Sequence, residues 1–313
     1  MSRAREEIEF KAGVDATTLA ELRRLPELRR ATRGRAETRH LLSVYYDTPD
    51  LKLQAAGLFL RMRRVAGYWE QTVKAARRAP RGLQRVIEVN DHASGPLPTL
   101  SLVSSPTLRR ELKAAIGGAE LQPLFCTEIR RTSRLLRSAY GDVELALDRG
   151  RVTAGELSSE FCEIELECID SDPVAAFHWA ARLLGGRPAR LLQPSKAARG
   201  FALARGELLT APAPVHVRPG DLAPVSSAAE GFAGLLDLYA RSVAENLYCV
   251  MTTTDPEAVH QLRVTLRRLR VLLQAGKGML SDGHCHELRR QARDIGRMLS
   301  ALRDADVLVD GLV

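Results

Sequence analysis

At 313 residues the chain is longer than one hydrophobic core usually supports, and two domains are expected. Its 45% hydrophobic and 27% charged residues are those of a folded globular protein and exclude a disordered or collagen-like chain. The net charge of +8 is uneven: from residue 229 onward 11 Lys+Arg balance 11 Asp+Glu, which places the whole excess upstream and points to a polyanionic partner there.

Charges interrupt every apolar run before the roughly 18 residues a membrane helix needs, and the first ten residues lack the apolar centre of a signal peptide. A cytoplasmic protein with no membrane partner is therefore expected. Cys126, Cys162, Cys168, Cys249 and Cys285 form no Cys-x-x-Cys pair, so they read as small buried residues and not as a disulfide or zinc framework.

In chain order, short alternating runs at 7–11, 43–47, 58–64, 68–74, 84–89, 143–148 and 162–168 predict at least seven strands. Helices are predicted near 17–24, 106–116 and 173–184. A Pro-rich stretch without helical periodicity spans 207–228 and reads as a linker. Beyond it only helical patterns occur, at 228–249, 256–275 and 284–302. The expected organisation is an α+β domain over 1–206, the linker at 207–228 and an all-α module over 229–313.

In a strand, residues two apart share a face. Glu7, Glu9 and Lys11 therefore stand opposite Ile8 and Phe10, and Arg61 with Arg63 opposite Leu60 with Met62. Glu144 with Asp148 stand opposite Val143, Leu145 and Leu147, and Glu163, Glu165 and Glu167 opposite Ile164 and Leu166. Such blocks of one sign repel unless a ligand supplies the opposite charge. Paired carboxylates suit a hard divalent cation, and paired arginines and lysines suit phosphate oxygens. The economical geometry is an antiparallel β-tunnel, a closed or nearly closed barrel of about eight strands, charged inside and apolar outside, flanked by helices.

Glu7-Ile8-Glu9-Phe10-Lys11 resembles the Glu-x-Glu-x-Lys signature of the CYTH superfamily, the triphosphate tunnel metalloenzymes. The resemblance continues through Tyr45-Tyr46-Asp47-Thr48-Pro49, Gly57-Leu58-Phe59-Leu60-Arg61-Met62-Arg63, Thr72-Val73-Lys74, Gln84-Arg85, Leu147-Asp148-Arg149-Gly150, Glu163-Ile164-Glu165-Leu166-Glu167 and Ser195-Lys196-Ala197-Ala198-Arg199-Gly200, covering about residues 5–205. It implies that Glu7, Glu9 and Glu165 hold Mg or Mn, with Glu144, Asp148 and Glu163 supporting the metal or orienting water. It also implies that Lys11, Arg61, Arg63, Lys74, Arg85, Arg131, Lys196 and Arg199 grip phosphates, with Glu7, Glu9, Lys11, Arg61, Arg63 and Lys74 at the catalytic centre. One departure stands out: relatives carry a carboxylate two residues after the arginine equivalent to Arg85, where this chain has Ile87. Glu88 is one step out of phase and is expected to face outward.

In the second module Leu262, Leu266, Leu269 and Leu273 form one apolar stripe, with His260, Arg263, Arg267 and Arg270 roughly opposite. No acid occurs between Glu257 and Asp282, so these arginines lack intrahelical partners and suit an anion-binding surface. The run Val259-His260-Gln261-Leu262-Arg263-Val264-Thr265-Leu266-Arg267-Arg268-Leu269-Arg270 resembles the conserved-histidine helix of CHAD domains, of which about half is covered. That resemblance implies polyphosphate binding. His284-Cys285-His286 diverge on a helix and do not read as a metal site. Arg23, Arg24, Arg29, Arg30, Arg33 and Arg35 lack interleaved aromatics and read as a solvated loop, not as a specific nucleic-acid surface.

These readings converge on a metal-dependent triphosphatase cleaving inorganic triphosphate. The rivals are a polyphosphate-binding adaptor with an idle tunnel, and a triphosphatase or cyclase acting on thiamine triphosphate or ATP.

Overall fold

The computed structural model describes residues 5–65, 67–77, 84–169, 171–187, 189–191, 195–207, 213–222, 224–225, 227–276, 278–280 and 282–310. In chain order the elements are β1 (Arg5–Gly13), α1 (Ala16–Arg24), α2 (Pro26–Ala31), β2 (Thr32–Asp47), α3 (Lys52–Ala55), β3 (Leu58–Val65), β4 (Tyr68–Arg77), β5 (Gln84–Ala93), α4 (Pro106–Ile116), β6 (Gln122–Ser138), β7 (Gly141–Ala154), β8 (Leu157–Ile169), α5 (Val174–Leu184), β9 (Arg190–Leu191), α6 (Lys196–Ala204), α7 (Ala228–Thr252), α8 (Pro256–Ala275) and α9 (Asp282–Asp310). They fall into two compact units, the first holding every strand and the second α7, α8 and α9.

The strands of the first unit form one antiparallel sheet in the order β5-β4-β3-β2-β6-β7-β8-β1-β9, with an additional pairing of β5 to β1. β1 is shared: its residues 5–9 pair with β5 and its residues 9–13 with β8. The sheet thus curls round on itself into a nearly closed tunnel whose seam is half of β1 on each side.

The alternation read from sequence decides which face packs. Phe10, Val143, Leu145, Leu147, Ile164 and Leu166 point outward and are buried under α1, α2 and α5 by Leu19, Leu22, Leu28, Trp179 and Leu183. On the other flank Leu60, Met62, Val73, Ala75 and Val89 pack against Leu53 of α3 and Leu108, Leu112 and Ile116 of α4. Each such fully buried large side chain contributes about 1.5–3 kcal/mol, which commits the opposite phase of β1, β3, β4, β5, β7 and β8 to the interior. α4 is delimited by Ser105, whose Oγ accepts from the Leu108 N–H, and by Gly117 in the left-handed region at φ 60°.

Part of the interior is apolar, contrary to the uniformly charged lining expected. Tyr45, Phe125, Ile129, Val152 and Phe161 form a third cluster with Phe201 and Leu203 of α6. At Gly200 a Cβ would lie 2.1 Å from the Phe125 ring, so glycine is what lets α6 approach the wall.

Five elements go beyond the sequence expectations: α2, α3, β6, β9 and α6. β6 is the longest described strand at 17 residues, yet its inward phase mixes Phe125 and Ile129 with Arg131 and so shows no clean alternation. The others are short, and even the nine residues of α6 are too few for a periodic signal. The described part of the linker is also not free chain. The Val215 N–H donates to Asn246 Oδ1 at 2.9 Å and its carbonyl accepts from Asn246 Nδ2 at 3.0 Å, tying it to α7. Cys126 and Cys162 are half-buried, whereas Cys168, Cys249 and Cys285 are buried. No helix among the described residues is long and apolar enough to cross a membrane.

Candidate functional site

The tunnel holds a cavity of about 440 Å³, within the roughly 300–1,000 Å³ usual for ligand pockets. Six cations line it: Lys11 from β1, Arg61 and Arg63 from β3, Lys74 from β4, Arg131 from β6 and Lys196 from α6. Four carboxylates join them, Glu9, Glu88, Glu165 and Glu167. In the ring of strands the β3–β4 wall with its cations stands across from β8 with Glu165 and Glu167.

The deep end is a charge network. Arg131 grips Asp148 with both Nε–Oδ1 at 2.8 Å and Nη2–Oδ2 at 2.6 Å, and also bonds Glu165. Lys196 reaches Glu165 at 2.6 Å, Asp148 at 2.9 Å and Glu163. Lys11 bridges Glu165 at 2.9 Å and Glu9 at 3.2 Å. Burial alone would raise Asp148 and Glu165, but Lys196 and Arg131, joined by Lys11 at Glu165, hold both below the usual carboxylate range. Glu163 goes the other way: burial outweighs Lys196 and Lys11, and its carboxyl is pushed up. Asp148 and Glu165 each have Arg131 as well as Lys196 against them.

On the opposite wall Arg61 donates to Thr72 Oγ1 at 2.9 Å, which donates to Asn90 Oδ1 at 2.7 Å, while Asn90 Nδ2 donates to Glu88 at 2.7 Å. Arg63 Nε donates to Ser43 Oγ at 3.0 Å. Burial, then Arg61 and Arg131, push the Arg63 guanidinium down to about 9. Because arginine keeps its proton in proteins, this marks uncompensated positive charge that a phosphate would relieve.

Glu88 corrects the sequence reading. Ile87 and Val89 pack outward in the α4 cluster, so Glu88 and Asn90 take the tunnel phase, and Glu88 is buried beside Lys74 and Arg61. Burial alone would raise it; Lys74 and Arg61 overcome this and hold it at about 2. Two residues upstream of Glu88 the tunnel wall presents Val86.

The remaining expected residues are placed as follows. Glu144 is half-buried, stands opposite Glu167 in register, and does not line the cavity. Asp148 and Glu163 lie behind Lys196, and with Glu165 they bring carboxylate oxygens within 4.8 Å of one another. Arg199 is buried on α6 outside the cavity lining. The side chains of Glu7 and Arg85 lie outside the described residues; their backbones pair with Val86 and Ile8.

Besides Glu88, the lining residues outside the expected ligand set include Glu167 and Tyr45. Glu167 pairs with Glu9 across β1 and β8, and its place in the Glu163-Glu165-Glu167 alternation was the signal. Tyr45 stacks on Phe125 at 4.5 Å, and its phenol, which burial would raise, is lowered by Arg61, Arg63, Lys74 and Lys196. Asp47, in the same motif, is scaffolding: its carboxylate accepts from the N–H groups of Thr48, Leu53 and Gln54 at 2.7–2.9 Å.

In the second unit, α8 and α9 flank a groove of about 540 Å³ lined by His260, Arg263, Arg267 and Arg270 together with Arg293 and Arg297 of α9, with no acid among its described lining residues. The α9 pair, spaced i to i+4, adds to the expected face. The His284 side chain lies outside the described residues.

The CYTH domain model matches residues 5–201. The chain belongs to the CYTH family. The CHAD domain model matches residues 234–313, following the CYTH domain along the chain. Curated relatives include the inorganic triphosphatase of Haemophilus influenzae, 29% identical over 173 residues, covering 54% of this chain and 47% of the relative. An uncharacterised protein of Mycobacterium tuberculosis is 28% identical over 295 residues, covering 87% of this chain and 53% of the relative. The chain thus spans about half the length of the curated relatives it matches. Among solved structures, a Hippeastrum protein described as a candidate adenylyl cyclase with a dominant triphosphatase activity matches at a TM-score of 0.47 and 22% identity, over 65% of this chain and 97% of its own.

Proposed function

We propose that the CYTH unit hydrolyses a terminal phosphoanhydride of inorganic triphosphate with Mg or Mn, and that the α8–α9 groove binds polyphosphate. The observation that carries this reading is the lining of the tunnel: Arg61 and Arg63 of β3 and Lys74 of β4 face the same cavity as Glu9 of β1 and Glu165 and Glu167 of β8. The name of the Haemophilus influenzae relative supports the substrate.

The donor set fits a hard divalent cation, since it consists of carboxylate oxygens. Glu9, Glu165 and Glu167, which face the cavity, would hold the ion with Glu7, the next residue of that phase on β1. Such an ion polarises a phosphoryl group and helps position water. Arg61, Arg63, Lys74 and Lys11 bind the phosphates and neutralise their charge, and most of the catalysis rests on this positioning and electrostatics. Asp148 and Glu163 position Lys196 and Arg131. The apolar cluster around Tyr45, Phe59 and Phe201 borders the cavity and excludes water from that side.

A substrate panel tests the reading: phosphate release from tripolyphosphate, ATP, thiamine triphosphate and long-chain polyphosphate, each with Mg, with Mn and with EDTA. Metal-dependent release favouring tripolyphosphate is expected. A preference for ATP or thiamine triphosphate would assign an organic substrate, and binding without turnover of any would leave an adaptor.

A further inference from the structure

The outer face of the tunnel carries a second concentration of positive charge that the proposed activity does not use. Arg130 of β6 is the register partner of His40 on β2 and of Arg149 on β7, and Cys162 of β8 continues the row opposite Arg149. Their chain neighbours Arg131 and Asp148 form the tunnel network, so this phase points outward, and His40, Arg130 and Arg149 are exposed. Like charges directly opposite in a sheet repel.

Arg23, in the last turn of α1, brings another guanidinium to the same place. Its Nε and Nη2 are buried and make no hydrogen bond, and its pKa is lowered first by burial and then by Arg130 and Arg149. Arg134 is spent elsewhere, on the Arg23 carbonyl at 3.5 Å and Thr32 Oγ1 at 3.4 Å. The adjoining row carries the outward carboxylates Glu128 and Glu160, where Arg151 already bonds Glu160 at 2.6 Å, and Asp15 acts on Cys162. Among the described residues no carboxylate forms an ion pair with Arg23, Arg130 or Arg149. Buried guanidinium N–H groups without acceptors, beside two more unpaired guanidiniums, constitute a site short of its anion.

We propose that Arg23, Arg130 and Arg149 form a second anion site, on the outside of the tunnel, that takes a phosphate oligoanion such as tripolyphosphate. The adjoining rows present Leu42, Glu128 and Arg151 on one side and Thr38 and Thr132 on the other, with no Phe, Tyr or Trp among them on which a nucleic-acid base could stack.

Cys162 is a built-in reporter, being half-buried and next to Arg149 in register. The experiment is alkylation of the full chain by iodoacetamide in EDTA, read for Cys162 by peptide mass spectrometry with Cys126 as the half-buried reference. Tripolyphosphate should slow Cys162 alkylation several-fold relative to Cys126. An Arg130→Ala/Arg149→Ala variant should lose that protection while its triphosphatase turnover stays unchanged, which separates this site from the tunnel. Absence of protection in the wild type, equal protection in the double variant, or equal protection by sodium chloride at matched ionic strength would each overturn the proposal. Stronger protection by single-stranded DNA at matched phosphate concentration would reassign the patch to nucleic acid.

Discussion

The tunnel and the α8–α9 groove both gather basic side chains, but only the tunnel brings carboxylates with them. Its six lining cations share the space with four carboxylates, and Asp148 and Glu163 sit behind, so most cations are already held in place by an acid. The groove has five arginines and a histidine with no acid among its described lining residues. A surface that only needs to attract phosphates gains nothing from carboxylates, which repel them. A site that must fix each cation in one orientation and also offer oxygen ligands to a metal needs both signs. Under the proposed function, the contrast is between a site that positions its ligand and a surface that attracts it.

The strongest way to break this contrast is to remove the carboxylates. Glu9→Gln, and likewise Glu7→Gln, should lower metal-dependent phosphate release by about 10³-fold, corresponding to several kcal/mol of charge stabilisation, with circular dichroism unchanged. Near wild-type release in both would make the acids supports for the cations and nothing more.

Lys196→Met probes the network from the other side. It leaves Asp148, Glu163 and Glu165 short of a buried cation and should destabilise the unit by about 3–5 kcal/mol, read by urea denaturation. A loss below about 1 kcal/mol would mean that Arg131 and Lys11 suffice.

Glu88 makes the balance visible as pH dependence. Its carboxyl is held at about 2 in the folded chain against about 4.3 in the unfolded one. Its contribution is therefore fully present above about pH 4.3 and is lost as pH falls through about 2, on the order of 3 kcal/mol at its upper limit. Glu88→Gln should flatten the stability profile across that window. An unaltered profile would show that Lys74 and Arg61 do not hold the charge.

Gly200→Ala tests whether α6 must approach as closely as it does. The added methyl meets the Phe125 ring and should cost about 1–3 kcal/mol through overpacking, with a fall in kcat as Lys196 shifts. A variant with wild-type melting temperature and turnover would show that the helix gives way freely.

The smallest effects belong to the groove. Neutralising Arg263 with Arg267, or Arg293 with Arg297, should each weaken polyphosphate binding and reduce the salt slope by about 0.7–0.9 for every phosphate that is no longer neutralised. Neutralising Arg289 with Arg290 should do less, since Arg290 is paired with Glu287 and Asp294. Titrations at two salt concentrations that failed to rank the three pairs would leave the groove without a role.

Much of this was legible without coordinates. In β1, β3, β7 and β8 one phase is apolar and the other charged, so the period of two decided which residues meet inside. Where both phases mix apolar and charged residues, as in β6, the same rule has nothing to read. Glu88 is misplaced when its phase is counted from Arg85, and the apolar alternation of Ile87 and Val89 is the better guide: burial of those side chains, not the role assumed for a neighbour, sets which face turns inward.

Sequence alone determined the two-part organisation of the CYTH and CHAD blocks, the surplus of charge in the first, and the face that each well-alternating strand presents. Those properties depend on spacing along one element. Only the tertiary structure decided that Lys196 is shared by Asp148, Glu163 and Glu165, that Gly200 lets α6 pack against Phe125, and that Arg293 and Arg297 join the α8 arginines. Each of these joins side chains from elements distant in the chain, and electrostatic and packing energies depend on separation in space, which no spacing along the chain specifies.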